Sequence, residues 1–409
     1  MVDTKTDYDV IVVGGGPGGS TCSLFLNKYG YDVLLLDKAK FPRDKACGDG
    51  VTGKSMSVLR ELNLTNVIEE NNSHQIYNGL ILYSADNQKL DMDFPNFYSY
   101  VCRRAVFDNI LFQQTKKLVD VKEGFAVTGL IFENNQVVGI KGMDADTKQE
   151  MTFKAKVVVG ADGANSVVAR EVGLREFKPE HHASAIRVYY KNVKNLTTKL
   201  EIFFFDSIIP GYFWIFPLEN NMANVGIGML TSEVQRRNIN LQAAMFKEIE
   251  NNPVLVERFK DAELVEGSIR GWNLPLATGR RKLYGNGFVL LGDAGSLIDP
   301  FTGEGIGNAL ISAKIASKYI DEAIKAGDYS GKILKKYHDE LWKIIGDEIK
   351  YSFLLQIAGK FKWLINRIFR KCVKSKDLRD LLSMSFASKE KQEKLSIWFG
   401  LRLAFKLIF

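Results

Sequence analysis

Apolar positions along the chain fall into two kinds of run. Short unbroken runs occur at Asp9–Val13 (DVIVV), Tyr31–Leu36 (YDVLLL), Lys156–Gly160 (KVVVG) and Gly287–Asp293 (GFVLLGD). They are rich in β-branched and aliphatic residues, which predicts strands buried on both faces, as in a parallel sheet. Alternating runs fill residues 74–100, 120–159, 184–230 and 268–275. Alternation puts apolar and polar side chains on opposite faces and predicts antiparallel hairpins. Helical spacing is expected over Ser20–Tyr29, from Arg103 onward, over Thr231–Lys260, over Asn308–Ile324 and through most of the chain beyond Lys325.

The turns between these runs carry the chemistry. Asp9–Val13 leads at once into Gly14, Gly16 and Gly19, spaced G-x-G-x-x-G, and then into a helix. A second buried strand follows and ends on Asp37, 18 residues past Gly19, with Lys38 next to it. This is a complete βαβ unit for a dinucleotide. Gly14 permits the tight turn, Gly16 lets backbone approach a pyrophosphate, and Gly19 lets helix and strand pack closely. The helix N-terminus offers free N–H groups to phosphate, and Asp37 is placed for a ribose. The motif alone does not separate FAD from NAD. Lys156–Gly160 runs into Asp162-Gly163, which sets that turn at the ligand-binding edge of an open sheet. Gly292-Asp293 ends the last buried strand, and Gly303, Gly305, Ile306 and Gly307 open a second glycine-rich helix.

The division these elements predict is α/β. A Rossmann-like domain with a parallel sheet takes 1–75, 101–175 and 280–325. A substrate domain with an antiparallel sheet takes 76–100 and 176–279. A helical, basic C-terminal region takes 326–409. The 409 residues, 46% apolar, are enough for two cores. Net charge is +7, but 360–409 carries 13 Lys/Arg against 4 Asp/Glu, or +9, leaving −2 elsewhere. Residues 353–374 and 395–409 mix aromatics with Lys/Arg, which suits helices lying on an anionic membrane surface or an amphipathic pair packed on the body. Nothing in this pattern calls for nucleic acid. Four cysteines without C-x-x-C spacing and four histidines offer no metal cluster and suit a reducing cytosol. No apolar run reaches the roughly 18 residues of a membrane span.

Three further candidates stand out. Cys47 lies between Lys45 and a glycine pair in the loop after the ribose-binding strand, beside the cofactor site. Arg104 lies at a helix start, where the dipole disfavours a cation unless an anion is near. Tyr212, Trp214 and Phe216 alternate and share one strand face, either as core or as the wall of an apolar substrate pocket.

Together, the N-terminal unit, Asp162-Gly163 and Gly292-Asp293 resemble the three FAD segments of the p-hydroxybenzoate-hydroxylase-like flavoproteins. Within that superfamily the chain resembles the geranylgeranyl reductase family. Pro42-Arg43-Asp44-Lys45-Ala46-Cys47-Gly48 is similar to its P-x-x-K-x-C-G loop, and Tyr212–Pro217 with Val225–Gly228 to its Y-x-W-x-F-P strand and V-G-x-G sequel. The resemblance spans about residues 8–325 and implies FAD as cofactor and saturation of isoprenoid double bonds. It implies that Gly14, Gly16, Gly19, Asp37 and Lys38 hold the adenosine diphosphate part and that Arg104 reaches the phosphates or ribityl chain. It also implies that Asp162, Gly163 and Asp293 line the cofactor and that Gly303, Gly305, Ile306 and Gly307 face the flavin. Cys47 and Gly48 would lie on the flavin's substrate side, Tyr212, Trp214 and Phe216 in a prenyl pocket, with Cys47 or Tyr212 (or a water they hold) relaying a proton. The implied partners are a prenyl lipid, an electron donor that is NAD(P)H or ferredoxin-like, and a membrane surface met from the cytoplasm. Two rivals share parts of this pattern: a flavin monooxygenase or halogenase on the same fold, and an electron-transfer flavoprotein serving membrane quinone.

Overall fold

A computed structural model describes residues 6–94 and 97–391. Its first sheet is built around parallel strands in the spatial order Phe288–Leu290, Glu150–Gly160, Asp7–Val13, Val33–Asp37, Asp120–Glu123. The unbroken apolar runs form its centre, because residues such as Val10, Val12, Leu34 and Val158 are buried on both faces. The hairpin Phe125–Glu133 and Gln136–Asp144 pairs antiparallel beside it.

Apart from 120–159, which joins the first sheet, the alternating runs supply a second sheet, ordered His182–Lys191, Met222–Leu230, Gly211–Pro217, Leu200–Phe203, Gly79–Tyr83, Lys89–Asp93, with Arg270–Pro275 on its edge side. It is antiparallel except where Leu200–Phe203 meets Gly79–Tyr83 in parallel. A three-stranded sheet of Gly50–Val51, Ser99–Val101 and Gln75–Tyr77 joins the two.

Helices Pro17–Lys28, Arg104–Lys116 and Ile306–Ala326 cover the first sheet. Helix Gly331–Ala358 follows and buries Leu334, Tyr337, Leu341 and Ile345 in that same core, while the Tyr337 hydroxyl donates to the Leu290 carbonyl at 2.7 Å. The sequence division had set this helix apart with the basic C-terminal region. Its buried stripe comes from the 3.6-residue period, which does not say which neighbour it will meet. Helix Lys362–Lys374 then lies across the second sheet, with Phe369 and Cys372 buried against Leu80, Leu82 and Leu90. Residues 395–409, part of the expected membrane-facing stretch, lie outside the described residues.

Candidate functional site

A cavity of about 800 Å³ runs between the two sheets. One end is the Gly14–Gly18 turn at the C-terminal edge of the parallel strands, and the other is an apolar slot between the second sheet and the C-terminal helices. Every sequence-predicted site residue lines it except Gly19 and Gly307.

The three motif glycines differ in what they do. A Cβ on Gly14 would sit 2.4 Å from the Ala161 carbonyl oxygen, and one on Gly19 would sit 1.8 Å from that of Gly14. Those two are chain-packing glycines. A Cβ on Gly16 would meet only the Arg43 guanidinium, at 3.3 Å, so Gly16 borders open cavity. Gly16 also caps helix Pro17–Lys28 with no side-chain hydrogen bond and no acid in the first turn. Gly305 caps helix Ile306–Ala326 in the same bare way. Two long helices thus aim unsatisfied N–H groups and positive dipole ends at one cavity, and this fits a large, anionic, two-ended cofactor. Asp37 closes the first turn by accepting from the backbone N–H groups of Gly15 and Ala39, each at 2.8 Å. Lys38 is exposed at that end.

Asp162 spends its carboxylate on its own helix, accepting from the Val167 N–H at 2.6 Å and the Ser166 hydroxyl at 2.5 Å. Asp293 pairs with Lys45 at 3.0 Å. Arg104 has its anion within the chain: it grips Asp108 with two bonds of 2.6 Å, and Asp108 also takes Arg43 at 2.9 Å. Burial pushes the Asp108 carboxyl up, but Arg104 and Arg43 outweigh it and hold the group below the usual carboxylate range. The anion that the position of Arg104 calls for is thus Asp108, while Arg104 still lines the cavity and Arg43 is the guanidinium beside Gly16.

The other half of the cavity is built where two distant motifs meet. Tyr212, Trp214 and Phe216 lie in sequence along one strand face, their neighbouring ring centroids 6.0 and 6.3 Å apart. The Cys47-Gly48 loop rests on this face, since a Cβ on Gly48 would sit 3.0 Å from the Phe216 ring. Asn224 ties the contact together. It accepts from the Trp214 indole N–H at 2.8 Å and donates to the Cys47 carbonyl and to Asp49, each at 2.7 Å. Asp49, fully buried, also accepts from the Tyr189 hydroxyl at 2.8 Å. Burial pushes its carboxyl up to about 6, against the pull of the Arg187 guanidinium. Arg187, itself buried, holds the loop a second way through Asp44 at 2.6 Å.

Burial raises the Cys47 thiol above its ordinary value although Arg104 lies beside it. Burial likewise pushes up the Tyr212 phenol, whose hydroxyl donates to the Thr302 carbonyl at 2.7 Å. Both groups keep their protons at neutral pH.

Sequence reasoning missed Arg43, Asp49, Arg187, Asn224, Lys54 and Glu304. Four of them sit inside or beside quoted motifs, in P-R-D-K, C-G-D-G, N-V-G-I-G and G-E-G. The signal was a polar residue in a glycine-rich stretch. Its partners, on other strands, were not visible.

The FAD binding domain family matches residues 7–346. Digeranylgeranylglycerophospholipid reductase 1 of Methanococcoides burtonii is 32% identical over 359 residues, 86% of this chain and 84% of that one. The crystal structure of a geranylgeranyl bacteriochlorophyll reductase-like protein from Thermoplasma acidophilum superposes with a TM-score of 0.79 at 26% identity, covering 98% of this chain and 96% of that one. The flavin-dependent brominase Bmp2, as a triple mutant, superposes with a TM-score of 0.76 at 22% identity, covering 98% of each chain, and shares the fold. The chain belongs to the geranylgeranyl reductase family of FAD-dependent oxidoreductases, and FAD is its cofactor.

Proposed function

We propose that this chain saturates isolated C=C bonds in the geranylgeranyl-type chain of a membrane lipid, with reduced FAD supplying the hydride. The observation that carries this reading is the seating of the Cys47-Gly48 loop on the Tyr212–Phe216 face, inside a cavity that continues into a greasy slot. Gly16, Asp37 and Lys38 would hold the adenosine diphosphate part, with Arg43 at the phosphates and with Gly14 and Gly19 shaping the turn by close chain packing. Arg104, through Asp108, holds the loop beside the ribityl chain. Asp162, Gly163 and Asp293 would line the cofactor, and Gly303, Gly305 and Ile306 would meet the flavin at a helix N-terminus that favours negative charge, with Gly307 packed behind them against Glu304 and Lys54.

Trp214 and Phe216 wall the reacting bond. Leu80, Ile202 and Phe204, roofed by Ile368 and Phe369, take the rest of the chain. Each buried CH₂ contributes about 0.8 kcal/mol, so a prenyl tail is bound by length rather than by polar contacts. The wall also excludes water from the reacting bond. Cys47 and Tyr212 face that bond with their protons in place. A thiol and a phenol are weak acids, so Cys47 acts by donating a hydrogen bond, and Tyr212, whose own proton is given to the Thr302 carbonyl, by holding a water in line.

An amphiphilic substrate lives in a bilayer. Among the described residues no helix is long and apolar enough to cross one. Leu354, Leu355, Phe361 and Trp363 are exposed beside Lys360 and Lys362 at the slot's rim, a composition that suits contact with an anionic surface from the cytoplasm. NAD(P)H or a ferredoxin-like protein renews the electrons.

The test is anaerobic. Purified protein is loaded with FAD, reduced with dithionite and mixed with digeranylgeranyl lipid, and the lipid mass is followed. Mass gains of two hydrogens per bond support the reading. Oxygen or halogen gain under air and halide, with no hydrogen gain, sinks it and moves the chain to the monooxygenase and halogenase chemistry of the same fold.

A further inference from the structure

Saturating a C=C bond consumes a proton as well as a hydride. The hydride brings both electrons of one new C–H bond. The π pair of the double bond forms the other with a proton, which must come from water and be replaced each turnover. The groups nearest the aromatic wall, Cys47 and Tyr212, hold their protons tightly, and neither is bonded to a solvent-facing acid or base. A line of ionisable groups elsewhere in the cavity does reach solvent.

Thr52 and Glu304 line the cavity, and the Thr52 hydroxyl donates to the Glu304 carboxylate. Behind them lies Lys54, on helix Gly53–Glu61, with a side chain 6% exposed. Its ammonium is 3.7 Å from Glu304 and 2.6 Å from Glu348, and it donates to Asn308 at 3.2 Å. Glu348, on helix Gly331–Ala358, is 26% exposed, against 10% for Glu304. Acid, base and acid are thus strung from cavity to surface across three separate elements. Burying an ion trio costs more than packing apolar residues in the same space, so its presence beside the reaction chamber asks for a use.

We infer that Glu304, Lys54 and Glu348 form the proton-supply line of the cavity. Glu304 gives a proton to the chamber through Thr52 or a water. As Glu304 is reloaded, Lys54 passes one proton to it and takes one from Glu348 in the same step, so the ammonium is kept and no free amine is left, and Glu348 exchanges with solvent. The other ionisable groups facing the Glu304 loop are engaged elsewhere. Asp299 accepts from the backbone of Phe301 and Thr302 and from Ser352, Asp293 is paired with Lys45, and Tyr212 donates to Thr302. This inference rests on the reductase reading for its purpose, but not for its detection.

The experiment has two arms, each run on holoenzyme with wild type, Glu304→Gln and Glu348→Gln. The first records the infrared difference between reduced and oxidised protein without substrate. A carboxyl signal that shifts in heavy water is expected in wild type, absent in Glu304→Gln and altered in Glu348→Gln. The second mixes reduced protein with digeranylgeranyl lipid. Glu304→Gln should slow substrate-driven reoxidation about a hundredfold, the scale of general acid catalysis. Glu348→Gln, at the surface end, should give a smaller loss, a changed pH profile and recovery on adding formate. A carboxyl signal unchanged in both variants, or wild-type rates at every pH in both, overturns the inference. The expected carboxyl signals with no lipid reduced by wild type would uphold the line and sink the reductase reading instead.

Discussion

Gly226 and Gly228 stand two residues apart on one strand, and the structure assigns them different jobs. Gly226 is the cross-strand partner of Trp214. A Cβ there would sit 2.1 Å from the indole ring and 2.6 Å from the Ile186 carbonyl oxygen, which is backbone and cannot swing aside. A Cβ on Gly228 would meet nothing nearer than 3.6 Å, an ordinary contact. Gly226→Ala must therefore push Trp214 off its seat. Overpacking of this kind costs about 1–3 kcal/mol. Losing the Trp214–Asn224 bond also strands a buried amide oxygen, at a further 1–3 kcal/mol or so. A loss of about 3 kcal/mol is expected for Gly226→Ala in urea unfolding of FAD-loaded protein, and under 1 kcal/mol or so for Gly228→Ala. Asn224 also holds the Cys47 carbonyl, so the first variant should free the loop as well. Cys22, Cys102 and Cys372 are buried and Cys47 is partly exposed, so a thiol reagent on native protein reads Cys47. Labelling should quicken in Gly226→Ala and stay unchanged in Gly228→Ala, which should instead raise KM for the lipid because Gly228 faces the cavity. Equal stability and equal labelling in the two variants would refute the steric argument.

The Asp49 carboxyl, raised to about 6 when folded, keeps its proton longer in the folded chain than in the unfolded one, where it titrates near 4. Its contribution to stability is therefore greatest at low pH and falls as pH rises from about 4 to about 6, by about 3 kcal/mol. Unfolding of wild type against Asp49→Asn across that range checks this, and a pH-independent difference contradicts it. Gly16→Ala should leave the FAD-free protein as stable as wild type and weaken FAD binding about tenfold by fluorescence titration, since its Cβ projects into the open cavity beside Arg43. Gly19→Ala should fail to yield folded protein, because its Cβ meets backbone at 1.8 Å. Cys47→Ser should bind FAD normally and reduce prenyl lipid more slowly, and an undiminished rate removes the thiol from the reaction.

Legibility in the sequence followed the range of the interaction. The unbroken runs at Asp9–Val13 and Lys156–Gly160 became central parallel strands because burial on both faces is a local demand that any neighbour satisfies. The aromatic face of Tyr212, Trp214 and Phe216 was legible for the same reason, since a strand fixes which side chains share a side. Helix Pro17–Lys28 starts three residues before its expected beginning, because Pro17 is tolerated in a first turn whose N–H groups have no partner in any case. What was not legible was pairing between distant charges. The position of Arg104 calls for an anion nearby, and the structure supplies one in Asp108, one helical turn on. The spacing was in view, but an i,i+4 pair normally lies on a solvated face. Here both partners are buried, and burial of a polar pair has no periodic signature.

The Cys47 loop shows why those unreadable pairs matter. Its residues follow the Val33–Asp37 strand, so one end is fixed by the parallel sheet. Its middle is held from both sides: Arg43 on Asp108 and Lys45 on Asp293 tie it to the first sheet's elements, while Asp44 on Arg187, Asp49 on Tyr189 and Asn224, and the Cys47 carbonyl on Asn224 tie it to the second. A loop held from one side can drift when a ligand pushes on it. One held from both sides is located by the distance between the sheets, and that distance is also the width of the slot. Position of the thiol and width of the chamber are therefore one mechanical quantity. Severing the far anchor with Arg187→Met should loosen both together, quickening Cys47 labelling and weakening prenyl discrimination in the same variant. Faster labelling with discrimination intact would mean that the slot's width is set elsewhere.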